Sequence, residues 1–362
     1  MGNRKKLLYV ASTASHLHRF HEPYLSALRE VCEVRTMASG EGVDFPIPFC
    51  KQFLSVRHLE TIRKVRHILQ AEQFDAVIVN TTLAAAVVRL ALRGVKPRPY
   101  MLNVVHGYLF SDPPRGLRDR ILIRVERMLA KRTDSIAVMN AHDLAAATSR
   151  RLCLGNVTFL HGMGLPEREL PQPDPSIRAC YAASEEILLT FVGELSKRKN
   201  QFFLIRAVAT LRAEGLPVRL LLIGEGSERQ HLTREISERG LGDAVFLIGS
   251  RESVFPYLAV TDLYVSASLS EGLPFNILEA MQCGLPILAS DVRGQQDLLD
   301  AKRLYSSGNM DAFCAAVRQF AKHGTRGVGS VAYPNLNDYL LPSVFEENLK
   351  TLQTGVKHDK QS

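Results

Sequence analysis

The chain contains no tryptophan, and aromatic residues make up only 7 % of its 362 positions. No stretch approaches the roughly 18 consecutive apolar residues that a membrane-spanning helix needs. Arg4-Lys5-Lys6 followed by Leu-Leu-Tyr-Val-Ala has the outline of a signal peptide. Its apolar run is too short, however, and the charged segment His16–Glu22 follows at once, so a first β-strand is expected there. The six cysteines, Cys32, Cys50, Cys153, Cys180, Cys283 and Cys314, are scattered and form no C-x-x-C pair. That pattern argues against structural zinc and fits a reduced, cytoplasmic protein. The chain also lacks an Asp-x-Asp motif, a P-loop, a G-x-G-x-x-G fingerprint and a Ser-His-Asp order. Basic residues are not interleaved with aromatics, so the net charge of +8 is not read as a nucleic-acid surface.

What is present points to two α/β domains. The length suits two units of about 150 to 200 residues, and 46 % apolar residues can fill two cores. The charge is uneven. Residues 1–165 hold 24 Lys and Arg against 13 Asp and Glu, a balance of +11; the remainder carries −3. A basic first half suggests an anionic partner. Short Val/Ile/Leu runs alternate with longer amphipathic segments, which predicts parallel sheets covered on both faces. Strands are expected at Lys6–Ala11, Val31–Met37, Asp75–Asn80, Tyr100–Val105, Asp134–Met139 and Val157–Leu160. In the second half they are expected at Ile187–Gly193, Val218–Gly224, Ala244–Ile248, Leu263–Ala267 and Pro286–Ser290. The segment Leu165–Ser176 holds four prolines and reads as a linker. The boundaries are therefore 1–165 for a first domain, 166–176 for the linker and 177–335 for a second domain. A last helix is expected near 342–352, and a disordered polar tail from about Val356.

The most informative stretch is Ser268–Gly284, S-L-S-E-G-L-P-F-N-I-L-E-A-M-Q-C-G. It follows a strand, turns at Gly272, places Pro274 at an expected first helical position and stops at Gly284. A helix starting there aims the amides of Phe275 and Asn276 at the strand ends, a site suited to a diphosphate, and Ile277 is a further donor-binding candidate beside them. Glu271 and Glu279 bracket it with seven residues between them.

This stretch resembles the E-x7-E motif of the retaining family-4 GT-B glycosyltransferases. Phe191-Val192-Gly193-Glu194-Leu195 with Lys199-Asn200-Gln201, Leu222-Ile223-Gly224-Glu225-Gly226, and Phe246-Leu247-Ile248-Gly249 through Asp262 and Ser268 continue the resemblance in order. It implies two Rossmann-like domains with parallel sheets facing across a cleft, with the nucleotide-sugar donor in the second domain and the acceptor in the first. It also implies that the last helix packs back on the first domain. Glu271 is then the contact to the donor sugar and Glu279 the contact to the ribose. Lys199 is the phosphate lysine, beside Gly193, and His106 of the Val105-His106-Gly107 strand end is a catalytic contact to the transferring sugar. One departure stands out: the family's arginine five positions before the lysine is Glu194 here, with Lys197 and Arg198 as candidate substitutes.

Phe20-His21-Glu22-Pro23-Tyr24 and His106-Gly107-Tyr108-Leu109-Phe110 resemble bacterial capsule and exopolysaccharide members. This likeness implies a saccharide or polyprenyl-diphosphate-linked acceptor at the inner face of the cell membrane. Ser15, His16 and His18, in a loop expected over Ser12–His21, are the acceptor-side candidates. His18 and His21 lack a third ligand at sensible spacing, so no metal is expected there. With no Asp-x-Asp motif either, no cofactor is expected, and Lys199 with the helix amides is expected to neutralise the diphosphate. Segment Arg115–Arg132 carries seven basic residues against two acidic ones, interleaved with apolar residues. It reads as a basic amphipathic helix that can meet an anionic membrane through Arg118, Arg124 and Arg127. A nucleotide-sugar epimerase or hydrolase, and a non-catalytic subunit supporting a partner enzyme, are the competing readings.

Overall fold

The structure is a computed structural model and describes residues 4–49, 57–324 and 327–357. Cys50 lies outside the described residues, as does the tail expected from about Val356 except for Val356 and Lys357, which are the last residues of a helix. The chain divides into two compact units, one of residues 1–164 with 341–362 and the other of residues 165–340.

The first unit runs β1 (Lys6–Thr13), α1 (Ala14–Phe20), α2 (Glu22–Val31), β2 (Glu33–Ser39), β3 (Phe45–Pro46), α3 (Arg57–Glu72), β4 (Ala76–Asn80), α4 (Thr82–Ala91), β5 (Tyr100–Val105), α5 (Leu117–Ala130), β6 (Ser135–Val138), α6 (Ala141–Arg150) and β7 (Val157–Phe159). The strands form one parallel sheet in the order β3-β2-β1-β4-β5-β6-β7. The central strand β4, Ala-Val-Ile-Val-Asn, is buried throughout, as a strand covered on both faces requires.

Where a loop was expected over Ser12–His21, the chain forms α1. Thr13 caps it by accepting from the His16 amide at 3.4 Å, and Ala14 and Leu17, three residues apart, are both buried. Short edge strand β3 has too few residues to leave a periodic signal.

The second unit runs α7 (Pro175–Ala179), β8 (Ile187–Val192), α8 (Gln201–Ala213), β9 (Val218–Ile223), α9 (Arg229–Glu238), β10 (Val245–Gly249), α10 (Phe255–Leu258), β11 (Leu263–Ser266), α11 (Phe275–Gln282), β12 (Ile287–Ser290), β13 (Leu304–Tyr305) and α12 (Met310–His323). Its parallel sheet has the order β10-β9-β8-β11-β12-β13. The segment read as a linker ends inside α7, because Asp174 caps that helix through the Ser176 amide at 2.8 Å. At its other end Leu165 donates to the Tyr339 carbonyl, which ties the segment into the second unit.

The last helix, α13 (Leu341–Lys357), belongs to the first unit and packs on α2, β4 and β5. Asn348 anchors it by donating to Tyr24 Oη at 2.9 Å and to the Gly162 carbonyl at 2.8 Å.

Both sheets reverse their winding beside their first strand, between β1 and β4 and between β8 and β11. Ligands of open parallel sheets bind outside the carboxyl ends of the strands at such a switch point.

Candidate functional site

In the second unit the switch point is built from the ends of β8 and β11. Gly193 follows β8 in a left-handed conformation (φ +151°) that favours glycine. Gly224, at the end of β9, lies so close that a Cβ on it would meet the Gly193 carbonyl oxygen at 2.0 Å. The loop after β8 then delivers Arg198 and Lys199, and the loop after β11 delivers Glu271.

These three side chains form one ion cluster. Lys199 Nζ donates to Glu271 Oε1 at 2.6 Å, and Arg198 Nη1 donates to Glu271 Oε2 at 2.6 Å and to the Ser270 carbonyl at 2.9 Å. Lys199 and Glu271 are buried; Arg198 is half exposed. Burial alone would raise the Glu271 carboxyl, but Lys199 and Arg198 outweigh it and hold the group below its ordinary value. Burial lowers the Lys199 ammonium, with Glu271 opposing the shift and Arg198 adding to it. The carboxylate is thus the built-in counter-ion of two cations.

Below this loop lies a buried polar network that the sequence reading passed over. Ser290 Oγ donates to the Ser268 carbonyl at 2.6 Å, and Gln295 Nε2 donates to Ser266 Oγ at 2.6 Å. The Ser-x-Ser pattern at the end of β11 was its only trace in the sequence.

The helix beyond departs in detail from the expectation. Pro274 is the N-cap (φ −80°, ψ 95°) rather than the first helical residue, so the first-turn amides begin at Phe275. Asn276 spends its side chain on the fold, donating to the Val192 carbonyl at 2.9 Å and to Tyr264 Oη at 2.8 Å. Ile277 does not fit the donor-contact role expected of it. Its side chain is wholly buried in the core, and its amide already donates to the Pro274 carbonyl at 3.0 Å. Phe275 is partly buried against that same core. Glu279 is half buried on the helix. The helix stops in a Schellman pattern, with Leu285 N–H on the Ala280 carbonyl and Gly284 N–H on that of Met281. Glu194 is exposed, and its charge helps hold the Lys199 ammonium charged. Arg198 supplies a second cation next to Glu271.

In the first unit the switch point carries imidazoles. Ser12 Oγ and Thr81 Oγ1, 2.5 Å apart, bridge the ends of β1 and β4. Beside them His16 of α1, His21 just after it and His106 at the end of β5 come together. His16 Nε2 and His21 Nε2 are 3.2 Å apart, and the His106 ring centroid lies 5.0 Å from that of His16 and 5.8 Å from that of His21. Burial is the main cause that pushes His16 down to about 4, His106 down to about 3 and His21 well below its ordinary value. Three neutral rings result. The sequence reading weighed His21 only beside His18 and gave it no role, because its partners His16 and His106 lie on other elements; its place in Phe20-His21-Glu22-Pro23-Tyr24 was a further signal.

Two acceptor-side candidates stand apart from this cluster. Ser15 is exposed and donates to Thr13 Oγ1 at 3.3 Å, and His18 is exposed and lies 3.7 Å from a Glu22 carboxylate oxygen.

Helix α5 presents a basic and apolar face to solvent. Arg118, Arg120, Arg124 and Arg127 are exposed, and so are Leu117, Ile121 and Met128, while Leu122, Ile123 and Leu129 are buried. Its acidic Glu126 turns inward and forms a buried bidentate pair with Arg89 at 2.8 and 3.0 Å. No helix among the described residues is long and apolar enough to cross a membrane.

Comparison with known proteins fits these features. Residues 186–323 match the family model for glycosyl transferases group 1. The chain is 30 % identical over 320 residues to an uncharacterized glycosyltransferase of Methanocaldococcus jannaschii, covering 83 % of this chain and 78 % of the relative. It is 26 % identical over 332 residues to the putative glycosyltransferase EpsD of Bacillus subtilis, covering 87 % of each. A third relative, 23 % identical over 69 % of this chain and 66 % of its own length, is the Escherichia coli UDP-Gal:α-D-GlcNAc-diphosphoundecaprenol α-1,3-galactosyltransferase. Among solved structures, Anabaena HepE in complex with UDP and glucose superimposes with a TM-score of 0.75 at 19 % identity, over 97 % of this chain and all of that one. The fold is that of the GT-B glycosyltransferases, and the chain belongs to the group 1 glycosyl transferases.

Proposed function

We propose that the protein is a retaining, metal-independent hexosyl- or N-acetylhexosaminyl-transferase. It takes a sugar from a nucleoside-diphosphate donor, with UDP as the default base, and passes it to a saccharide carried on a polyprenyl diphosphate during surface-polysaccharide synthesis. The carrying observation is the Lys199–Glu271–Arg198 cluster at the strand ends beside the start of α11. A diphosphate entering there meets two cations and a helix N-terminus, which together stabilise the negative charge that grows on the leaving group. Glu271, released from part of its ion pairing, turns its acceptor oxygens to the sugar hydroxyls. Glu279 holds the ribose, and His106 is assigned to the transferring sugar. No side chain is assigned as covalent nucleophile, so attack on the same face as departure, with the leaving phosphate as base, accounts for retention.

The relative acting on a diphosphoundecaprenol-linked sugar and the exposed basic-apolar face of α5 support a lipid-linked acceptor met at an anionic membrane on the cytoplasmic side.

Thermal shift against UDP, GDP, ADP and CMP, followed by transfer assays with the matching sugar donors and a polyprenyl-diphosphate saccharide, tests the proposal. Ligand at a hundred times its Kd stabilises the folded chain by about 2.7 kcal/mol. A chain that no nucleotide stabilises and that transfers no sugar would be the non-catalytic subunit instead, the reading that Glu194 in place of arginine favours. Sugar release or epimerisation without an acceptor would favour the hydrolase or epimerase.

A further inference from the structure

His16, His21 and His106 come from three separate places: α1, the residue that follows it, and the end of β5. One ring nitrogen from each nonetheless lies within 4.8 Å of those from the other two. Two ligand nitrogens around a four-coordinate zinc, each about 2.0–2.1 Å from the metal, are roughly 3.3 Å apart. His16 Nε2 and His21 Nε2, at 3.2 Å, already stand at that spacing.

A second observation points to a missing ligand. His106 Nε2 is shut off from solvent and finds no hydrogen-bond partner among the described residues. A buried polar atom left unpaired is costly, and native structures rarely tolerate one without a reason.

A third concerns orientation. Tyr9 Oη sits 2.9 Å from His21 Nδ1. When Nδ1–H donates to this oxygen, the lone pair of His21 is fixed on Nε2, facing His16. Metal-binding histidines are oriented by such a partner on the far ring nitrogen.

We propose that His16, His21 and His106 form a binding site for a divalent transition metal, Zn²⁺ by ligand chemistry, with three neutral imidazoles as ligands and a fourth position left to water. Imidazole suits Zn²⁺, Ni²⁺ and Cu²⁺, whereas Mg²⁺ and Mn²⁺ prefer oxygen. The site is therefore separate in chemistry from any metal a diphosphate would carry. Resting on the transfer reading above, occupancy inhibits the enzyme, because the metal takes the His106 lone pair assigned to the sugar.

The test strips the full chain with a chelator and titrates it with Zn²⁺ against a chromophoric competitor, with Co²⁺ as a spectroscopic substitute. One metal per chain is expected, with the visible absorption of four-coordinate Co²⁺. His16→Gln, at the partly exposed ligand, and His21→Gln should each weaken binding at least tenfold while circular dichroism stays native. His18→Gln should bind as the parent does. No stoichiometric binding by the folded parent chain, or equal weakening by His18→Gln, would overturn the site. Binding with undiminished sugar transfer would overturn the inhibition. A chain that binds one Zn²⁺ but transfers no sugar, with or without metal, would defeat the transfer reading and leave the metal site standing.

Discussion

Removing the members of the Lys199–Glu271–Arg198 cluster one at a time separates what holds the second unit together from what the site does. The side chains of Glu271 and Lys199 are 5 % and 10 % exposed, and that of Arg198 is 48 % exposed. Breaking a fully buried ion pair by deleting one partner costs about 3–5 kcal/mol, because the survivor is left charged and dry. Lys199→Met leaves Glu271 with Arg198 still attached, so the expected cost falls to about 2–3 kcal/mol. Glu271→Gln leaves the buried Lys199 facing another cation, again about 2–3 kcal/mol. Arg198→Ala removes a group that water already screens, and should cost under about 1 kcal/mol. Because the first two share one interaction, the double variant should be milder than their sum by about 1–3 kcal/mol. Urea denaturation supplies these values. Calorimetry with UDP then reads the function. Lys199→Met should weaken UDP at least tenfold, since a charge-assisted hydrogen bond is worth about 1.5–3 kcal/mol. Glu271→Gln should hold or raise UDP affinity, because both cations lose their internal counter-ion, while sugar transfer collapses. An additive cycle, an Arg198→Ala cost equal to that of Lys199→Met, or UDP affinity falling in step with turnover in Glu271→Gln would each refute this reasoning.

Four further outcomes are expected. Glu271 is held below its ordinary value of 4.5 in the folded chain, so its contribution is present above that pH and lost as pH falls through the lower folded value; Glu271→Gln should flatten the acid limb of a melting-temperature profile below about pH 4.5, and an unchanged limb would remove the carboxylate as its source. Gly294→Ala, at φ +79° with a Cβ that would meet the Gly272 carbonyl at 2.5 Å and Glu271 at 3.1 Å, should cost about 1–3 kcal/mol and lower turnover more than UDP affinity; a variant with parent-like turnover would show that the loop absorbs the change. Sugar transfer should survive EDTA undiminished, and rescue of an EDTA-killed reaction by Mg²⁺ or Mn²⁺ would defeat metal independence. The chain should co-sediment with anionic but not neutral liposomes, with each basic residue near the surface adding about 1 kcal/mol; replacing Arg118, Arg124 and Arg127 by Glu should abolish this, and equal binding to both lipids would rule out the α5 face.

Much of the architecture was legible because a doubly covered parallel strand leaves a strong trace. Tyr100–Val105 stands at its expected bounds, and ten other strands lie within two residues of theirs. What escaped was short or held from outside. The strands β3 and β13 have two residues each, pinned by a neighbour rather than by pattern. The first helix follows so closely on β1 that its seven residues read as a loop rich in histidine; only the Thr13 cap and the Ala14–Leu17 spacing betray it. The exposed apolar residues of α5 could not be told from its buried ones by composition. Its Leu122 and Leu129 face the core while Leu117 and Met128 do not, and helical phase alone does not say which face a neighbour covers.

The two candidate sites differ in legibility for a reason of chain distance. Lys199 and Glu271 are 72 residues apart, yet each sits in an ordered motif of strand end, turn and helix, so local context marks both. His21 and His106 are farther apart, and nothing near either histidine in the chain announces the other. Only the sheet order, which sets β4 between β1 and β5, brings their loops into reach. The two sheets share one winding rule and reverse at equivalent strands, but one switch point gathers cations around a carboxylate and the other gathers neutral imidazoles. The fold therefore fixes where ligands can enter each unit, while the side chains fix what can enter. A diphosphate suits the first arrangement and gains little from the second, whose gathered side chains are imidazoles rather than a lysine and an arginine. A soft divalent cation suits the second and is repelled by the first.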